Sequence, residues 1–320
     1  MKQLLITLIL GFLFNAIVAQ ELTEEYYDNG QLKSIGKWGP KVMGYTSELG
    51  EWKYYHENGQ LKEIGKFSGG KIGEWKAYHD NGNIKSIGEY GSFTIEGGKK
   101  TGIWKYYYGN GKLESQGEYI VKIGGGFKEG VWNSYYQNGN IKSIDSYLAD
   151  DWGTEADGEL SEYSEQGQLT RKSNYNKGKL TKQEIYYKST GTLAISYQIQ
   201  SNNRDFDAIN YNSSKNIESE GTINSEGKGI GNWKYFNSSG KVIKTGSFVN
   251  GKKLGEWKYY NDDGKVNTIE TYSNDKLNGP AKAFHSSGQL WMEGDYTNGK
   301  QIGEWKTYDE NGKLTAANNY

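Results

Sequence analysis

The chain has 320 residues, a formal net charge of −1, 34% hydrophobic residues, 45 glycines and no cysteine. The near-balance of charge argues against a general nucleic-acid-binding protein, because such proteins usually carry a basic excess or stripe. Without cysteine we expect neither disulfides nor a lipid anchor, since that anchor needs an N-terminal cysteine.

The first nineteen residues resemble a secretory signal peptide. Lys2 supplies the positive start, Leu4 to Ala19 are mostly apolar, and Ala19 is the small residue that a signal peptidase needs. The apolar stretch is short for a membrane span, although an uncleaved anchor is the alternative. We expect cleavage after Ala19, a mature chain from Gln20, and a periplasmic, outer-surface or secreted protein.

One spacing recurs twelve times from residue 26 to the end. An aromatic residue is followed six positions later by an aliphatic one, and a large apolar residue comes six positions after that. The pairs are Tyr26/Leu32, Tyr55/Leu61, Tyr78/Ile84, Tyr107/Leu113, Tyr135/Ile141, Tyr163/Leu169, Tyr187/Leu193, Tyr211/Ile217, Phe236/Val242, Tyr260/Val266, Phe284/Leu290 and Tyr308/Leu314. A fixed repeat period of roughly 20–50 residues is typical of a solenoid or array.

The clearest copy spans residues 50–67, in which two β-favouring runs flank an Asn-Gly pair, a strong hairpin signal. A three-residue turn over 57–59 with a glycine bulge would place Tyr55 opposite Leu61, and alternation would put Leu61 and Phe67 on one face. A two-residue loop would instead place Trp52 opposite Gly65. We favour the three-residue turn.

A Gly-Lys linker follows most second strands and reverses the chain into the next hairpin. Because an isolated hairpin is marginal in water, the units must stack to bury their aromatic residues. The pattern therefore predicts an all-β fold of tandem hairpins that form an elongated, twisted, mostly antiparallel single-layer sheet. The Gly-rich segments 91–101 and 120–129 are predicted to be longer loops.

The copies fall into three groups behind the predicted signal peptide at 1–19. Residues 20–149 hold repeats one to five, and 150–228 hold degenerate repeats six to eight, which lack the tryptophan. Residues 229–320 hold repeats nine to twelve at a strict 24-residue period. The middle group is a candidate bend or hinge.

The polar residues that could perform chemistry recur in fixed slots. His56, His79 and His285 share one slot with tyrosine, asparagine and aspartate of other copies, so we interpret them as structural, with a metal site at His56 and His79 as the alternative. Four glutamates share another slot and are expected to pair with lysine across strands. They are Glu51, Glu74, Glu256 and Glu304.

An acidic cluster lies between copies five and six. Its members are Asp150, Asp151, Glu155, Asp157 and Glu159. Ca²⁺ binding is one interpretation, but the spacing departs from the EF-hand loop, and a solvated loop is the interpretation we favour. With no phosphate-binding loop, zinc motif or nucleophile elbow in the sequence, we predict no enzyme, no cofactor and no metal site.

The recurrent tryptophans are the candidate binding surface. They are Trp52, Trp75, Trp104, Trp132, Trp233, Trp257 and Trp305. An aromatic row on one sheet face could stack on sugars or anchor a protein. The alternative, which we favour, is that each tryptophan packs on the neighbouring hairpin as core.

The pattern Gly-Glu-Trp-Lys-x-Tyr-x-x-Asn-Gly-x-Leu-Lys-x-x-Gly-x-Tyr resembles the MORN repeat variant, over nearly all of residues 24–320. This resemblance implies β-hairpin repeats with a binding or scaffolding role. Bacterial proteins of this type are often named as antitoxins or immunity factors, and the eukaryotic relatives are linked to membrane lipids and protein scaffolds. The near-zero net charge makes a lipid partner a weak expectation here.

We therefore expect an exported, non-catalytic scaffold that binds a protein partner or another copy of itself, with an antitoxin-like or immunity-like role as one form of it. The alternative is a glycan-binding or cell-wall-binding module that uses the tryptophan and tyrosine row. An enzyme would need a degenerate copy to have acquired a site, around 150–228.

Overall fold

The computed structural model describes residues 22–41, 46–91, 98–200, 202 and 204–320. The predicted signal peptide at 1–19 lies outside these residues. The described residues form 25 β-strands and contain no helix. The fold divides into two compact units, with the boundary between Lys112 and Leu113.

The first unit holds seven strands. They are β1 (Leu22–Tyr26), β2 (Leu32–Trp38), β3 (Glu48–Tyr55), β4 (Leu61–Ser68), β5 (Lys71–Tyr78), β6 (Ile84–Gly91) and β7 (Lys99–Tyr107). Each strand pairs antiparallel with the next along the chain.

The second unit holds the other strands. They are β8 (Leu113–Lys122), β9 (Gly125–Tyr135), β10 (Ile141–Ala149), β11 (Thr154–Ala156), β12 (Gly158–Tyr163), β13 (Leu169–Asn176), β14 (Lys179–Tyr186), β15 (Leu193–Ile199), β16 (Phe206–Tyr211), β17 (Ile217–Ile223), β18 (Gly229–Phe236), β19 (Val242–Val249), β20 (Lys252–Tyr260), β21 (Val266–Ser273), β22 (Lys276–Phe284), β23 (Leu290–Thr297), β24 (Lys300–Tyr308) and β25 (Leu314–Asn319).

The pairing in the second unit is again antiparallel and follows chain order. β8 pairs with β9 and β9 with β10, while β10 pairs with both β11 and β12. From β12 to β25 each strand pairs with the next. The prediction of an all-β fold of tandem antiparallel hairpins is confirmed.

The hairpin turn combines both registers that the sequence allowed. His56 N–H donates to the Gln60 carbonyl at 2.8 Å, Gly59 has φ 82°, and Tyr55 lies opposite Leu61, as the three-residue turn predicts. A bulge then skips Lys62, so Trp52 pairs with Gly65 as well. The bulge interrupts the alternation of side chains along β4. Alternation therefore no longer predicts that Leu61 and Phe67 lie on one face.

A second irregularity lies between successive hairpins. Ile64 pairs with Lys76 and Lys66 with Ile72, so three residues of β5, 73–75, stand opposite Gly65. Gly73 takes φ 62°, which glycine adopts without the steric cost of a Cβ. The bulge therefore explains why a glycine stands two positions before the tryptophan, and it brings Trp75 onto the preceding hairpin.

Two sequence predictions are wrong in detail. Residues 120–129 do not form a long loop, because Ile120 pairs with Phe127 and Lys122 with Gly125, and only a two-residue turn separates β8 from β9. The strands continue because residues 120 and 121 are β-branched.

The other error concerns the seventh aromatic–aliphatic pair. Leu193 lies opposite Tyr186, and Tyr187 N–H donates to the Thr192 carbonyl at 2.8 Å. This loop is one residue longer than the others, so Tyr187 takes the slot of His56.

Candidate functional site: the tryptophan row and the opposite face

The seven tryptophans of the predicted binding surface are buried. Their exposed fractions lie between 0% for Trp257 and 7% for Trp233. They are the largest side chains in the core of the described residues, whose other buried apolar members are alanines. This position agrees with the core-packing alternative, and the exposed tryptophans are instead Trp152 and Trp291, at 75% and 46%.

Each buried indole lies over a glycine of the preceding hairpin. A Cβ at Gly65 would stand 2.2–2.5 Å from ring atoms of Trp75, closer than carbon atoms can approach. The same close contact joins Gly36/Trp52, Gly65/Trp75, Gly88/Trp104, Gly117/Trp132, Gly221/Trp233, Gly246/Trp257 and Gly294/Trp305. Glycine is required here because the indole occupies the place of a side chain.

The indole N–H completes the backbone hydrogen bonding at the bulge. Trp75 Nε1 donates to the carbonyl of Lys66, the residue after the covered glycine, at 3.2 Å. All seven tryptophans make the equivalent bond, at 3.0–3.3 Å. A buried indole N–H thus has its partner, which is the usual requirement for tryptophan in a core.

A second aromatic residue, from the preceding hairpin, contacts six of the seven indoles edge-on, and Ile223 takes that place before Trp233. Phe67 meets Trp75 with ring centroids 4.9 Å apart and planes at 87°, and Phe248 meets Trp257 at 5.0 Å and 78°. These T-shaped pairs use the last large apolar residue of one hairpin and the tryptophan of the next. They tie neighbouring repeats together.

Where the tryptophan is missing, the covered glycine is missing too. Ala208 pairs with Tyr197, so the large and small residues are exchanged, and Ala281 pairs with Glu270. Gln183 takes the tryptophan slot opposite Ser173 and donates a hydrogen bond to its hydroxyl at 3.2 Å. The two slots therefore change together along the chain.

Lysines from the linkers cover the outer side of four tryptophans. Lys71, Lys100, Lys128 and Lys253 each stand four positions before a tryptophan, with the ammonium 3.9–4.4 Å from its ring centroid. This is a cation–π arrangement. Burial lowers the pKa of Lys128, and the carboxylate of Asp145 partly opposes that effect.

The three histidines share one structural role. His56, His79 and His285 each place Nε2 2.8–3.1 Å from a main-chain carbonyl of the next hairpin. Tyr27, Tyr136 and Tyr187 donate the same bond through their hydroxyls at 2.7–2.8 Å. Because a carbonyl only accepts, Nε2 carries the proton in each histidine.

The asparagine of the Asn-Gly turn has a role that the sequence interpretation missed. Asn58 Oδ1 accepts from Gln60 N–H at 3.0 Å within its own turn, while Nδ2 donates to the Asp80 carbonyl of the next turn at 2.7 Å. Asn29, Asn81 and Asn138 make the same bond to the following turn. The recurrence of the amide in successive copies was the available signal.

Three of the five residues in the acidic cluster are engaged in local bonding. Asp150 Oδ1 accepts from the N–H groups of Trp152 and Gly153 at 2.8 and 2.7 Å, and Asp157 accepts from Lys177 N–H at 2.9 Å. Glu159 pairs with Lys172 at 2.8 Å. Within the described ranges, no group of three or more histidine or acidic side chains is placed to hold a metal ion.

The face opposite the tryptophans carries paired charges. Alternation places the residue after each tryptophan on that face. In β18 to β24 this position holds Lys234, Lys258 and Lys306 after tryptophans and Lys282 after Ala281, each within 3.0–3.7 Å of a glutamate, with lysine side chains 40–58% exposed. We call these four ion pairs the lysine–glutamate strip. Glu51 and Glu74 pair with Lys53 and Lys76, two positions further along the same strand, as Glu256 and Glu304 pair with Lys258 and Lys306. The prediction that these glutamates pair with lysine across strands is therefore wrong.

None of the described residues forms an apolar helix of membrane-spanning length.

The hairpin pattern matches a known family model. Ten segments match the MORN repeat variant. They are residues 22–38, 48–68, 71–91, 100–120, 128–149, 156–177, 230–250, 253–274, 277–298 and 301–320. These segments cover more than half of the chain, so the protein belongs to the MORN repeat variant family, whose repeats generally serve as non-enzymatic binding scaffolds.

The comparisons with curated proteins and with solved structures assign no further family or function. No curated protein matches the chain. A crystal structure of TcdB2-TccC3-TEV is similar at 12% identity and TM-score 0.15, covering 91% of this chain and 18% of that one. A porin-like protein from Bacteroides uniformis is similar at 12% identity and TM-score 0.19, covering 78% and 90%. The family assignment therefore depends on the repeats themselves.

Proposed function

We propose that the protein is an exported, non-catalytic scaffold that binds a protein partner across several hairpins through the lysine–glutamate strip. The observation that carries this proposal is the difference between the two faces of the sheet. The tryptophans on one face are buried where one hairpin packs on the next, so the exposed feature that repeats is the lysine–glutamate strip on the other face.

The geometry of the strip suits a protein surface. Its four lysines recur every 24 residues on neighbouring hairpins, and each lies two strands away from the next, with one strand between them, a spacing of roughly 10 Å. Each lysine has a glutamate beside it, so the strip alternates in charge and carries little net charge. Such a pattern matches a partner with alternating charges better than a polyanion, and it provides specificity more than raw affinity.

The structural roles of the polar side chains support a non-catalytic protein. The histidines donate to main-chain carbonyls, and Asp150, Asp157 and Glu159 of the acidic cluster hold turns or pair with lysine. A catalytic group needs a specific partner and access to a substrate, and these groups are engaged in the fold. A partner of the toxin class, which would make the protein an immunity factor, is one form of this proposal.

The buried position of the tryptophan row gives the glycan-binding alternative no supporting observation. Sugar rings stack on exposed aromatic faces, whereas the most exposed member of the row, Trp233, is 7% exposed.

The experiment is crosslinking in the cell envelope of the native host, with capture of the tagged protein. The test variant reverses the strip charges with Lys234→Glu, Lys258→Glu, Lys282→Glu and Lys306→Glu. The control variant makes the same change in charge at the exposed Lys177, Lys179, Lys215 and Lys313. We expect a specific partner that the test variant loses and the control retains. Repeated capture of no protein, or equal capture by the test variant, would contradict the proposal.

Export has its own test. Mass spectrometry of the protein purified from the envelope or medium is expected to show a chain that begins at Gln20. A full-length chain recovered from the cytosol would remove the exported part of the proposal and leave the scaffold part standing.

A further inference from the structure

The hairpin β18–β19, like the hairpins of Trp52 and Trp305, lacks the lysine that covers the other four tryptophans. The hairpin β20–β21 follows at an offset of 24 residues, and in it Lys253 stands four positions before Trp257. The corresponding position before Trp233 is Gly229. The comparison of these two neighbours shows what the first one is missing.

The aromatic groups that receive the lysine are present in both hairpins. The ammonium of Lys253 lies 4.4 Å from the Trp257 ring, 5.8 Å from Tyr259 and 4.3 Å from Tyr272. The equivalent residues are Trp233, Tyr235 and Phe248. Trp233 meets Phe248 at 6.0 Å and 90°, and Tyr235 at 6.3 Å.

A groove of about 250 Å³ opens where the lysine would lie. Its lining includes the aromatic rings of Trp233, Tyr235 and Phe248. Gly229 lies in the same lining. A Cβ on Gly229 would point at Trp233 Nε1 and the Phe248 ring, at 3.3–3.5 Å. The missing side chain would therefore start directly into the groove.

We propose that this groove binds the side chain of a lysine from a protein partner, with its ammonium over Trp233 and its aliphatic stem along Phe248. The chain itself shows the fit four times, since Lys71, Lys100, Lys128 and Lys253 hold the equivalent position over their own tryptophans. The inference rests on the proposed protein-binding function, because the lysine must come from a partner.

Two lysines lie near the groove, and each already has a partner. Lys228 is paired with Glu226 at 2.7 Å, and Lys244 lies 4.2 Å above the Tyr235 ring. Burial and the charge of Lys253 lower the pKa of Lys244. Lys244, in the same hairpin as the groove, and Lys253, in the next hairpin, therefore repel each other although each ammonium lies over an aromatic ring. An ammonium bound over Trp233 would meet the same repulsion from Lys244, in keeping with weak binding.

The test uses the indole N–H resonances of the full-length protein, with the Trp233 signal assigned through Trp233→Phe. The probe is Nα-acetyl-lysine methylamide, and its Nε-acetylated form and glucose are the neutral comparisons. A single cation–π contact is a weak interaction, so we expect saturable but weak binding. The Trp233 signal should shift with the lysine probe and respond far less to either neutral compound.

Two variants make the result specific. Gly229→Lys supplies the missing side chain, and it should weaken the response of Trp233 to the probe by about tenfold or more. Lys253→Gly opens the same groove one hairpin later, and it should give the Trp257 signal a new response to the probe. The second variant keeps the proposal testable if the first folds poorly.

An unmoved Trp233 signal, an equal response to glucose or the acetylated probe, or an unresponsive Trp257 in Lys253→Gly would each overturn the lysine site. These titrations need no partner. Their failure therefore leaves the partner capture by the lysine–glutamate strip as a separate question, and failure of that capture leaves these titrations unaffected.

Discussion

The contact that recurs along this protein joins a glycine to an indole, and the indole fills the space that a side chain on the glycine would occupy. Gly246 illustrates it, because a Cβ there would lie 2.1–2.5 Å from the ring of Trp257, which is fully buried. Glycine is needed here because it lets the Trp257 ring approach the backbone closely. It is not needed for a left-handed backbone conformation, since Gly246 is not among the residues with positive φ. The contact therefore isolates a steric requirement that a methyl group can test.

Gly246→Ala is expected to lower the free energy of unfolding by about 1–3 kcal/mol, because the added methyl overpacks a closed contact. The measurement is the denaturant midpoint followed by circular dichroism. Gly153→Ala is the control, since a Cβ there has nothing nearer than Asp150 Oδ1 at 3.9 Å. In a Trp257→Ala background the same Gly246→Ala change should cost little, and equal costs in both backgrounds would contradict the steric account.

The histidine slot gives a second prediction at this scale. His285 Nε2 lies 2.9 Å from the Tyr308 carbonyl, and tyrosine makes the same bond in other copies. We expect His285→Tyr to keep stability and His285→Phe to lose about 1 kcal/mol, the usual net contribution of a hydrogen bond. Thermal unfolding of both variants measures this. A larger loss in the tyrosine variant than in the phenylalanine variant would argue against the shared role.

At the scale of the hairpin, the turn links each repeat to the next as well as reversing the chain. Asn58→Asp keeps the acceptor for Gln60 N–H but replaces the donor to the Asp80 carbonyl with a second oxygen. We expect a loss of about 1 kcal/mol in the free energy of unfolding, measured by urea titration.

The matched control is Asp263→Asn. In that turn the bond to the following hairpin comes from Lys265 Nζ, 3.3 Å from the Ser286 carbonyl, while Asp263 serves the turn itself. The control should therefore change stability little. If it costs as much as Asn58→Asp, the bond between turns is not what the asparagine provides.

The sequence predicted the elements better than the contacts between them. The Asn-Gly turns and the six-residue spacing gave the hairpins and placed Tyr55 opposite Leu61. The sequence interpretation considered Trp52 and Gly65 as partners within one hairpin, whereas the close contact of Trp52 is with Gly36 of the hairpin before. Strand alternation alone does not reveal that contact, because it arises from a bulge between hairpins.

Paired changes in the sequence carried the missing information. A glycine precedes every buried tryptophan of the row by one hairpin, and Tyr197 with Ala208, or Glu270 with Ala281, changes both slots at once.

The length of β8 and β9 was missed for another reason. Their glycines indicated a loop, and the β-branched residues between them continue the strands instead.

At the scale of the whole molecule, stability is shared between neighbouring hairpins, as in other repeat proteins. Removal of residues 300–320 deletes β24 and β25 and uncovers Gly294, which Trp305 covers. We expect fraying confined to β23 and unchanged protection of Trp257, measured by hydrogen exchange. Loss of structure throughout the chain would contradict a nearest-neighbour array.

Hydrogen exchange of the indole N–H groups distinguishes an interlocked core from an open aromatic surface, because each of the seven buried indoles donates to a main-chain carbonyl. We expect slow exchange at Trp52, Trp75, Trp104, Trp132, Trp233, Trp257 and Trp305, and fast exchange at the exposed Trp152 and Trp291. Fast exchange across the row would show that the tryptophans form an open surface, and it would contradict the interlocked core.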